Sequence, residues 1–326
     1  MFWTRVLQLI EDGQKVFLAM VAENTRHSPG TQGARLLVSE EGETAGTIGG
    51  GIMELRLLEY ANGVLHQREF QPRLQTLHHR KTGPGEKSGM ICAGSQTNLY
   101  ALCHPCRDRP TVRRLALLLE EGRSGTLTIN PAGLQIREEP PDLSRPQREL
   151  QREGESWEYR EELLNRKRIA ILGGGHCALA LSRAMQQLGY EVQVFDDRPE
   201  VETLRQNTFA RRIDIVEDYA QAGPRIEYPE LTAVVVMTAA FPSDMRALAG
   251  LAGMPFPFTG LLGSAAKLGE IFRQLERQGV RSGGLSNLHA PVGLPIGSNT
   301  PQEIAVSVAA HILQARKERQ KLGAVR

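Results

Sequence analysis

Long hydrophobic runs are missing from this sequence. No stretch approaches the roughly 18 apolar residues that a membrane-spanning helix requires. The most apolar run, 233–237, has the length of a buried strand instead. The segment 1–10 is interrupted by Arg5 and followed by Glu11 and Asp12, a pattern that is not typical of a signal peptide. We therefore expect a cytoplasmic protein with no membrane partner.

Cysteine is scarce, and neither sign of charge is in excess. Four cysteines among 326 residues are too few for a disulfide framework, so we expect reduced thiols. The 39 basic residues nearly balance the 37 acidic ones, and no long basic block occurs. Without a strongly basic segment, electrostatics gives no reason to expect a nucleic acid as a partner.

A glycine turn between a short apolar strand and a helix is the most informative feature that is present. The strand is predicted over 169–172, and the turn, residues 173–175, is the C-terminal glycine loop. Gly173 suits a tight turn, and Gly175 would let the backbone approach a pyrophosphate. The free N–H groups at the start of the following helix would then face the anion. This pattern predicts a phosphate-binding loop for a dinucleotide.

Polar residues follow the next predicted strand, 191–195. Asp196 lies about 20 residues after the first glycine, where a carboxylate can accept hydrogen bonds from a ribose. Asp197 and Arg198 come next, and they leave open whether a phosphorylated ribose is accepted. His176 either contacts the ligand or moves a proton, or it is a first-turn side chain that faces solvent.

A second glycine turn follows a strand that is predicted at 258–262. Gly263 and Ser264 precede a helix that carries Lys267. These residues either form a second anion site or only turn the chain and cap the helix. Helical and apolar strand segments alternate after Asp196, which predicts a parallel sheet that is covered on both faces.

The first half of the chain has a glycine turn of its own, residues 49–51, the N-terminal glycine loop. Strands are predicted before it at 15–23, 35–39 and 44–48, and a helix after it at 52–61. The backbone N–H groups of Gly49, Gly50 and Gly51 would hold a phosphate or the edge of a heterocycle, with Glu54 as a candidate acid, base or hydrogen-bond acceptor. The alternative is a flexible turn in which Glu54 only suits the helix dipole.

The four cysteines differ in setting. Cys92 lies in a glycine-flanked loop, 88–94, where a thiolate could reach a ligand and act as a catalytic group. Cys177 lies near a helix start, which lowers a thiol pKa, although it could equally pack against the sheet. Cys103 and Cys106 have the spacing of a redox dithiol or half a zinc site, but no second pair with this spacing exists.

The two halves are separated by charged and proline-rich sequence. This composition predicts an N-terminal domain over 1–140, a linker over 141–165 and a C-terminal domain over 166–326. The fold class is therefore α/β, with a doubly wound parallel sheet in the C-terminal domain and a separate N-terminal α+β domain.

The order of these motifs resembles that of the XdhC/CoxI family of xanthine dehydrogenase accessory proteins. In the first half the residues are His27-Ser28-Pro29-Gly30, Gly33-Ala34-Arg35, Gly46-Thr47-Ile48-Gly49-Gly50-Gly51 and Glu54. In the second half they are 173–178, Asp196-Asp197-Arg198-Pro199-Glu200, Thr238 with Asp244, Gly260-Leu261-Leu262-Gly263-Ser264 with Lys267, and 292–297 running into 300–307.

This resemblance implies an N-terminal domain of its own kind joined to a Rossmann-like domain. It also implies a homodimer that binds the molybdenum cofactor, as molybdopterin or its dinucleotide form. Such proteins look like chaperones that hold the cofactor while a cysteine desulfurase installs its terminal sulfur. They then deliver it to the apo form of a xanthine dehydrogenase-type molybdenum hydroxylase. We therefore expect a maturation factor with little or no turnover.

Three positions depart from the family pattern. Many relatives have a cysteine where this chain has Ile52, Cys-Gly-Gly where it has Cys92-Ala93-Gly94, and a histidine where it has Ala239. A thiol ligand from the first loop is excluded, so the resemblance leaves Cys92 as the candidate that contacts molybdenum or carries sulfur.

Two other functions use the same C-terminal features. The first is an NAD(P)-dependent oxidoreductase, which needs a proton donor that neither His176 nor His27 clearly provides. The second is a nucleotide-sensing regulator without chemistry, since a fold does not determine a function.

Overall fold

The structure is a computed structural model that describes residues 2–79, 94–264, 268–271, 273–274 and 287–323. The chain divides into two compact units, Met1–Leu164 and Asn165–Arg326. The first unit has antiparallel sheets and the second a parallel sheet, which confirms the predicted α/β fold class. Within the described ranges, no helix has both the length and the apolar character needed to cross a membrane.

The described helices are α1 Phe2–Glu11, α2 Gly51–Leu65, α3 Arg109–Glu121, α4 His176–Gln187, α5 Glu202–Arg205, α6 Phe241–Leu251 and α7 Pro301–Gly323. The strands of the N-terminal unit are β1 Val16–Asn24, β2 Arg35–Ser39, β3 Thr44–Thr47, β4 Arg73–His78, β5 Ser95–Cys103, β6 Thr126–Asn130, β7 Gly133–Arg137, β8 Arg148–Glu153 and β9 Ser156–Glu162. Those of the C-terminal unit are β10 Arg168–Leu172, β11 Glu191–Asp196, β12 Arg212–Ile215, β13 Thr232–Val236, β14 Phe258–Leu261 and β15 Leu288–His289.

The N-terminal unit contains two antiparallel sheets. The strand orders are β3-β2-β1-β5-β4 and β7-β6-β9-β8. The central strand β1 is apolar on both faces because each face is covered. Phe17 and Val21 pack in the core beneath α2, whereas Leu18 and Met20 pack in the core that α1 and α3 share with the second sheet. Because successive side chains of a strand point to opposite faces, β1 contributes to two hydrophobic cores.

The C-terminal unit is a doubly wound parallel sheet with the strand order β12-β11-β10-β13-β14-β15. Helices α4 and α7 cover one face, and α6 covers the other. The connection that leaves β10 lies on the face that α4 covers, whereas the connection that enters β13 lies on the face that α6 covers. The crevice at the carboxyl ends of β10 and β13 is therefore the topological switch point, where open α/β sheets bind ligands.

The segment 141–165 is largely folded, although the sequence predicts a linker there. It contains β8 and β9, which are half of the four-stranded sheet. The dense charge of this segment lies mostly on the exposed side of the strands, whereas Tyr159 and Glu161 are buried. Charge alone did not distinguish a linker from a sheet with one solvated face.

Helix α2 continues to Leu65, four residues beyond the predicted end at Ala61. The sequence predicts a stop at Asn62-Gly63 because glycine is a poor helix former. Val64 and Leu65 are buried in the same core as Ala61. Their burial outweighs the propensity penalty of Gly63.

Cys103 and Cys106 do not share an environment. Cys103 is completely buried in a hydrophobic core, and burial raises the pKa of its thiol. Cys106 is exposed in the loop that follows β5. A buried, protonated thiol is a packing residue rather than a metal ligand or a redox group.

Candidate functional site

The first group of predicted site residues lies at one end of the five-stranded sheet. Because neighbouring strands are antiparallel, this end brings together the ends of β1, β3 and β4 and the beginnings of β2 and β5. Loops 25–34 and 48–50 touch there. A β-carbon on Gly49 would lie 2.9 Å from the Gly30 nitrogen, so glycine permits this close approach.

Glu54 holds the N-terminal glycine loop from the first turn of α2. Its Oε1 accepts hydrogen bonds from the Thr47 hydroxyl at 2.6 Å, the Ile48 N–H at 2.7 Å and the Gly50 N–H at 2.8 Å. Burial opposes ionisation of Glu54, but these hydrogen bonds outweigh it and lower its pKa. An ionised carboxylate that is bound to backbone N–H groups anchors the loop and does not donate a proton at neutral pH.

Replacing Glu54 by alanine is expected to lower the free energy of unfolding of the N-terminal unit by about 1–3 kcal/mol, because its hydrogen-bond donors lose their acceptor. Glu59 is exposed on the same helix, and Glu59→Ala is expected to change this free energy by less than about 0.5 kcal/mol. Chemical denaturation of both variants measures the difference. Equal losses would mean that Glu54 does not anchor the loop.

Gln96, at the start of β5, connects the two loops through a buried amide. Its Oε1 accepts hydrogen bonds from the Ser28 hydroxyl at 3.0 Å and the Gly30 N–H at 3.1 Å, and its Nε2 donates to the Ile48 carbonyl at 3.1 Å. A backbone N–H only donates and a carbonyl only accepts, so the orientation of this amide is determined.

His79 extends this network with a defined tautomer. Its Nε2 lies 3.3 Å from Ser28 Oγ. The Ser28 hydroxyl already donates to Gln96, so His79 Nε2 carries the proton and donates to Ser28. Burial lowers the pKa of His79 and outweighs its hydrogen bond with Gln96, which by itself would raise the pKa. A neutral ring that donates to a serine does not activate it as a nucleophile; the network sets the shape of the loops.

Cys92, the candidate catalytic and molybdenum-contacting residue, lies outside the described residues. Gly94, which is described, packs against loop 25–34, since a β-carbon there would lie 2.7 Å from the Ser28 nitrogen. In the parts of the chain that are described, no group of three or more histidine, cysteine, aspartate or glutamate side chains could hold a metal ion. The roles of Cys92 thus remain predictions from the sequence.

The C-terminal glycine loop joins β10 to α4 at the switch point. A β-carbon on Gly173, whose φ is 111°, would lie 2.4 Å from the Met237 carbonyl oxygen. On Gly174 it would lie 2.3 Å from Leu204 Cδ2. Gly175 has an ordinary φ of −75°, and no atom lies within 4 Å of the place where its β-carbon would be. The positive φ and the backbone contact require glycine at 173, a β-carbon at 174 would have to displace the Leu204 side chain, and Gly175 faces open space.

The N-terminus of α4 offers unpaired N–H groups beside Gly175. No described side chain caps this helix. The Gly174 N–H is already bound to Asp196 at 2.5 Å, but the first N–H groups of the helix, from His176 onwards, have no acceptor within the helix. Together with the positive end of the helix dipole, they can bind an anion such as a phosphate.

Asp196 is completely buried, and it anchors the C-terminal glycine loop. Its Oδ2 accepts from the Gly174 N–H at 2.5 Å and from Arg198 Nη2 at 2.9 Å, and its Oδ1 accepts from the Arg198 backbone N–H and Nε, each at 2.9 Å. Burial opposes ionisation, but the bonds from Arg198 and Gly174 lower its pKa. A carboxylate has about four acceptor sites. None remains for a ribose, so the structure gives Asp196 a different role from the predicted one.

The other residues of this group lie nearer the surface. Asp197 is half-buried with its Oδ1 3.6 Å from Arg198 Nε, while Arg198 and His176 are exposed. A groove of about 570 Å³ begins at His176 and runs along α4 beside the first turns of α7. This groove leaves room for a large ligand body next to the helix N-terminus.

The second C-terminal turn lies at the same edge of the sheet. Gly263 and Ser264 follow β14, which is separated from β10 only by β13. The Ser264 carbonyl accepts the Leu268 N–H at 3.0 Å. Lys267 lies outside the described residues, and the second anion site therefore stays a prediction.

Two family models match the chain. Residues 169–312 match the XdhC Rossmann domain, and residues 9–78 match the XdhC and CoxI family. The chain belongs to the XdhC/CoxI family. The C-terminal glycine loop lies in the first matched segment and the N-terminal glycine loop in the second, so both loops belong to the parts that this chain shares with the XdhC/CoxI family.

Two curated proteins are similar to this chain. The uncharacterized protein YqeB of Escherichia coli (strain K12) is 26% identical over 317 residues, which are 96% of this chain and 46% of YqeB. A probable xanthine dehydrogenase subunit of Bacillus subtilis (strain 168) is 29% identical over 151 residues, 46% of this chain and 43% of that protein. The chain spans less than half the length of these two relatives.

A solved structure shares the architecture of this XdhC/CoxI member. It is described as a xanthine dehydrogenase from Bacillus halodurans, and it matches with a TM-score of 0.72 at 21% identity, over 97% of this chain and 96% of that one. At this identity the match establishes a common fold.

Gln96 and His79 were missed by the sequence reasoning. The available signal was a pair of amides, Gln96 and Asn98, in alternate positions of a strand that is otherwise apolar towards its end. Amides on one face of a buried strand need hydrogen-bond partners, and here the partners are the loops of the site.

Proposed function

We propose that this chain binds the molybdenum cofactor and supports its sulfuration and insertion into a xanthine dehydrogenase-type molybdenum hydroxylase. Membership of the XdhC/CoxI family supports an accessory role, as does similarity to a protein described as part of a probable xanthine dehydrogenase. The partners in this proposal are a cysteine desulfurase, a second copy of this chain and the apo molybdenum hydroxylase.

The uncapped N-terminus of α4 is the observation that carries the proposal. The cofactor is a phosphorylated pterin, and its dinucleotide form contains a pyrophosphate. The N–H groups of His176 and its successors would hold a phosphate, and Gly175 leaves the space that the anion needs. When bound, the group would supply the molybdenum centre of the client enzyme.

The protein groups at both glycine loops are suited to holding a ligand. Glu54 and Asp196 have lowered pKa values and bind backbone N–H groups, so neither is a proton donor near pH 7. They keep the loops in one shape before a ligand arrives, which reduces the entropy cost of binding. This arrangement favours tight binding without turnover.

The oxidoreductase alternative has less support. A nicotinamide dinucleotide in its usual position would use the carboxylate after β11 for its ribose, but Asp196 has no free acceptor. NAD(P) binding would have to rely on Asp197 or Arg198.

The test is to co-express the chain with a molybdenum cofactor pathway, purify it, and measure released pterin, molybdenum and NAD(P) per protomer. Near-stoichiometric pterin with molybdenum is the expected result. Bound nicotinamide without pterin would contradict the proposal and favour an oxidoreductase or a nucleotide sensor.

Gly175→Val is expected to lower pterin occupancy at least tenfold while the protein stays folded. The branched side chain would occupy the space beside the helix N-terminus, at a cost to stability of about 1 kcal/mol. Gly63→Val is the matched control, because Gly63 also has nothing within 4 Å of a β-carbon but lies in α2. Equal occupancy in the two folded variants would rule out the α4 N-terminus as the phosphate site.

Cys92→Ser tests the thiolate assignment that the sequence makes. If Cys92 carries sulfur or contacts molybdenum, the variant is expected to bind pterin but to deliver cofactor that leaves the client enzyme inactive. Cys106→Ser, which removes an exposed thiol, is the control. Full activation of the client by the Cys92→Ser variant would remove this cysteine from the mechanism.

A further inference from the structure

A second cavity lies at the edge of the parallel sheet opposite the C-terminal glycine loop. It has a volume of about 220 Å³ and lies at the beginnings of β10, β13 and β14, beside the C-terminal half of α7. The glycine loop follows the other end of β10, so the length of this strand separates the two places. The cavity is therefore not part of the site that is described above.

The cavity has an apolar wall. Leu231 and Phe258 contribute from the sheet side, and Ile312 and Ala315 contribute from α7. Phe258 and Ile312 are otherwise buried in the core. Contact with these side chains would favour a ligand with a hydrophobic body over water or a small inorganic ion.

The polar part of the cavity is positively charged. Four arginines line it, with Glu230 as the carboxylate among the described lining residues. Arg168 is neutralised by Glu191 and Glu227, each at 2.9 Å. Arg316 and Arg319 have no carboxylate partner within the described part of the chain, so their guanidinium groups can bind an anion.

Tyr190 lines this cavity. The residue is 6% exposed, and its hydroxyl has no hydrogen-bond partner in the described part of the protein. Its ring lies between two cations, with Lys167 Nζ and the Arg316 guanidinium carbon each 5.9 Å from the ring centroid. The surroundings of this ring are therefore positively charged, which favours an anion in the cavity.

We propose that this cavity binds a small aromatic anion, such as a carboxylate or sulfonate. Its ring packs on Leu231 and Ala315, which are the partly exposed apolar residues of the wall, and its charged group pairs with Arg316 and Arg319. A ligand that uses both the apolar wall and the arginines binds more tightly than phosphate or sulfate, which lack a ring, and more tightly than a neutral aromatic, which lacks the charge. This site is independent of cofactor binding at α4.

The test uses the purified full-length chain and the fluorescent probe 8-anilino-1-naphthalenesulfonate. N-phenyl-1-naphthylamine has the same aromatic framework without the sulfonate, so it reports hydrophobic contact alone. We expect saturable, one-to-one binding of the sulfonate, at least tenfold tighter than the neutral probe, and displacement by benzoate or salicylate. Equal affinity for the two probes, or no saturable binding, would overturn the proposal.

Variants locate the bound probe. Arg316→Gln is expected to weaken sulfonate binding about tenfold and to leave the neutral probe unchanged, because one charge-assisted contact is lost. Ala315→Trp should abolish binding by filling the cavity. Arg205→Gln removes an exposed arginine of α5 and should have no effect. Tm is measured for each variant; unchanged binding in both folded cavity variants would place the probe elsewhere and refute the site.

Discussion

Replacing Glu161 by glutamine is expected to lower the free energy of unfolding of the N-terminal unit by about 3 kcal/mol. Glu161 is 3% exposed, and its carboxylate binds Arg35, Arg148 and the hydroxyl of Tyr159. These contacts connect β9 to β2 and β8. A neutral amide would leave two partly buried guanidinium groups without a counter-charge, which costs more than the lost hydrogen bonds.

The effect should depend on pH in a defined direction. Burial opposes ionisation of Glu161, but the charges of Arg35 and Arg148 outweigh it and hold its pKa below the usual 4.5. A lowered folded-state pKa stabilises the protein above the unfolded-state value, and this contribution disappears as the pH falls through the folded-state pKa. The gap between wild type and Glu161→Gln should be full at pH 7 and shrink below pH 4.5.

Urea denaturation at neutral and acidic pH measures this gap. Glu158→Gln is the control, since Glu158 lies on the same strand but is exposed and should change the free energy of unfolding by less than about 0.5 kcal/mol. A gap that stays constant from pH 7 to pH 3 would contradict the electrostatic explanation.

Gly173→Ala is expected to destabilise the C-terminal unit by about 3 kcal/mol or more, the sum of backbone strain and overpacking. The φ of 111° is unfavourable for any residue with a β-carbon, and that carbon would lie 2.4 Å from the Met237 carbonyl oxygen. Met237 directly follows β13, and its N–H donates to the Leu172 carbonyl at 2.8 Å, so this backbone is held by the sheet and cannot move aside cheaply.

Gly175→Ala is the matched control for this prediction. It makes the same chemical change two residues along the same loop, with an ordinary φ and no neighbour within 4 Å. It should cost less than about 1 kcal/mol. Thermal and urea unfolding of both variants measure the two losses of stability. Similar losses for Gly173→Ala and Gly175→Ala would mean that the strain and the contact at Gly173 do not cause the effect.

The cap of α7 shows how much local sequence can predict. The sequence Thr300-Pro301-Gln302-Glu303 is typical of a capping box. The structure contains it: the Thr300 N–H donates to Glu303 at 3.0 Å, and the Glu303 N–H donates to the Thr300 hydroxyl at 3.3 Å. Both bonds join residues that are three apart, so nothing distant is needed to form them.

Asp196 shows where the same reasoning stops. Its position after β11 was predicted from the spacing of the glycine turn and the second strand, and the strand does end there. Its role depends on the Arg198 side chain, which folds back onto the carboxylate, and on the loop N–H that it meets. The rotamer of Arg198 and the contact with the Gly174 N–H decide whether the Asp196 carboxylate is free to bind a ligand. The spacing between motifs in the sequence predicts neither of them.

The sequence by itself determined the strands and helices that flank the two glycine loops, the parallel sheet and membership of the XdhC/CoxI family, because these follow from local periodicity and from motifs in a defined order. Only the tertiary structure decided which of three glycines faces open space, which carboxylates are already saturated, and that 141–165 forms strands. Those properties depend on neighbours that are distant in the chain, such as Met237 beside Gly173 and Arg35 beside Glu161, and they exist only after the sheets have packed.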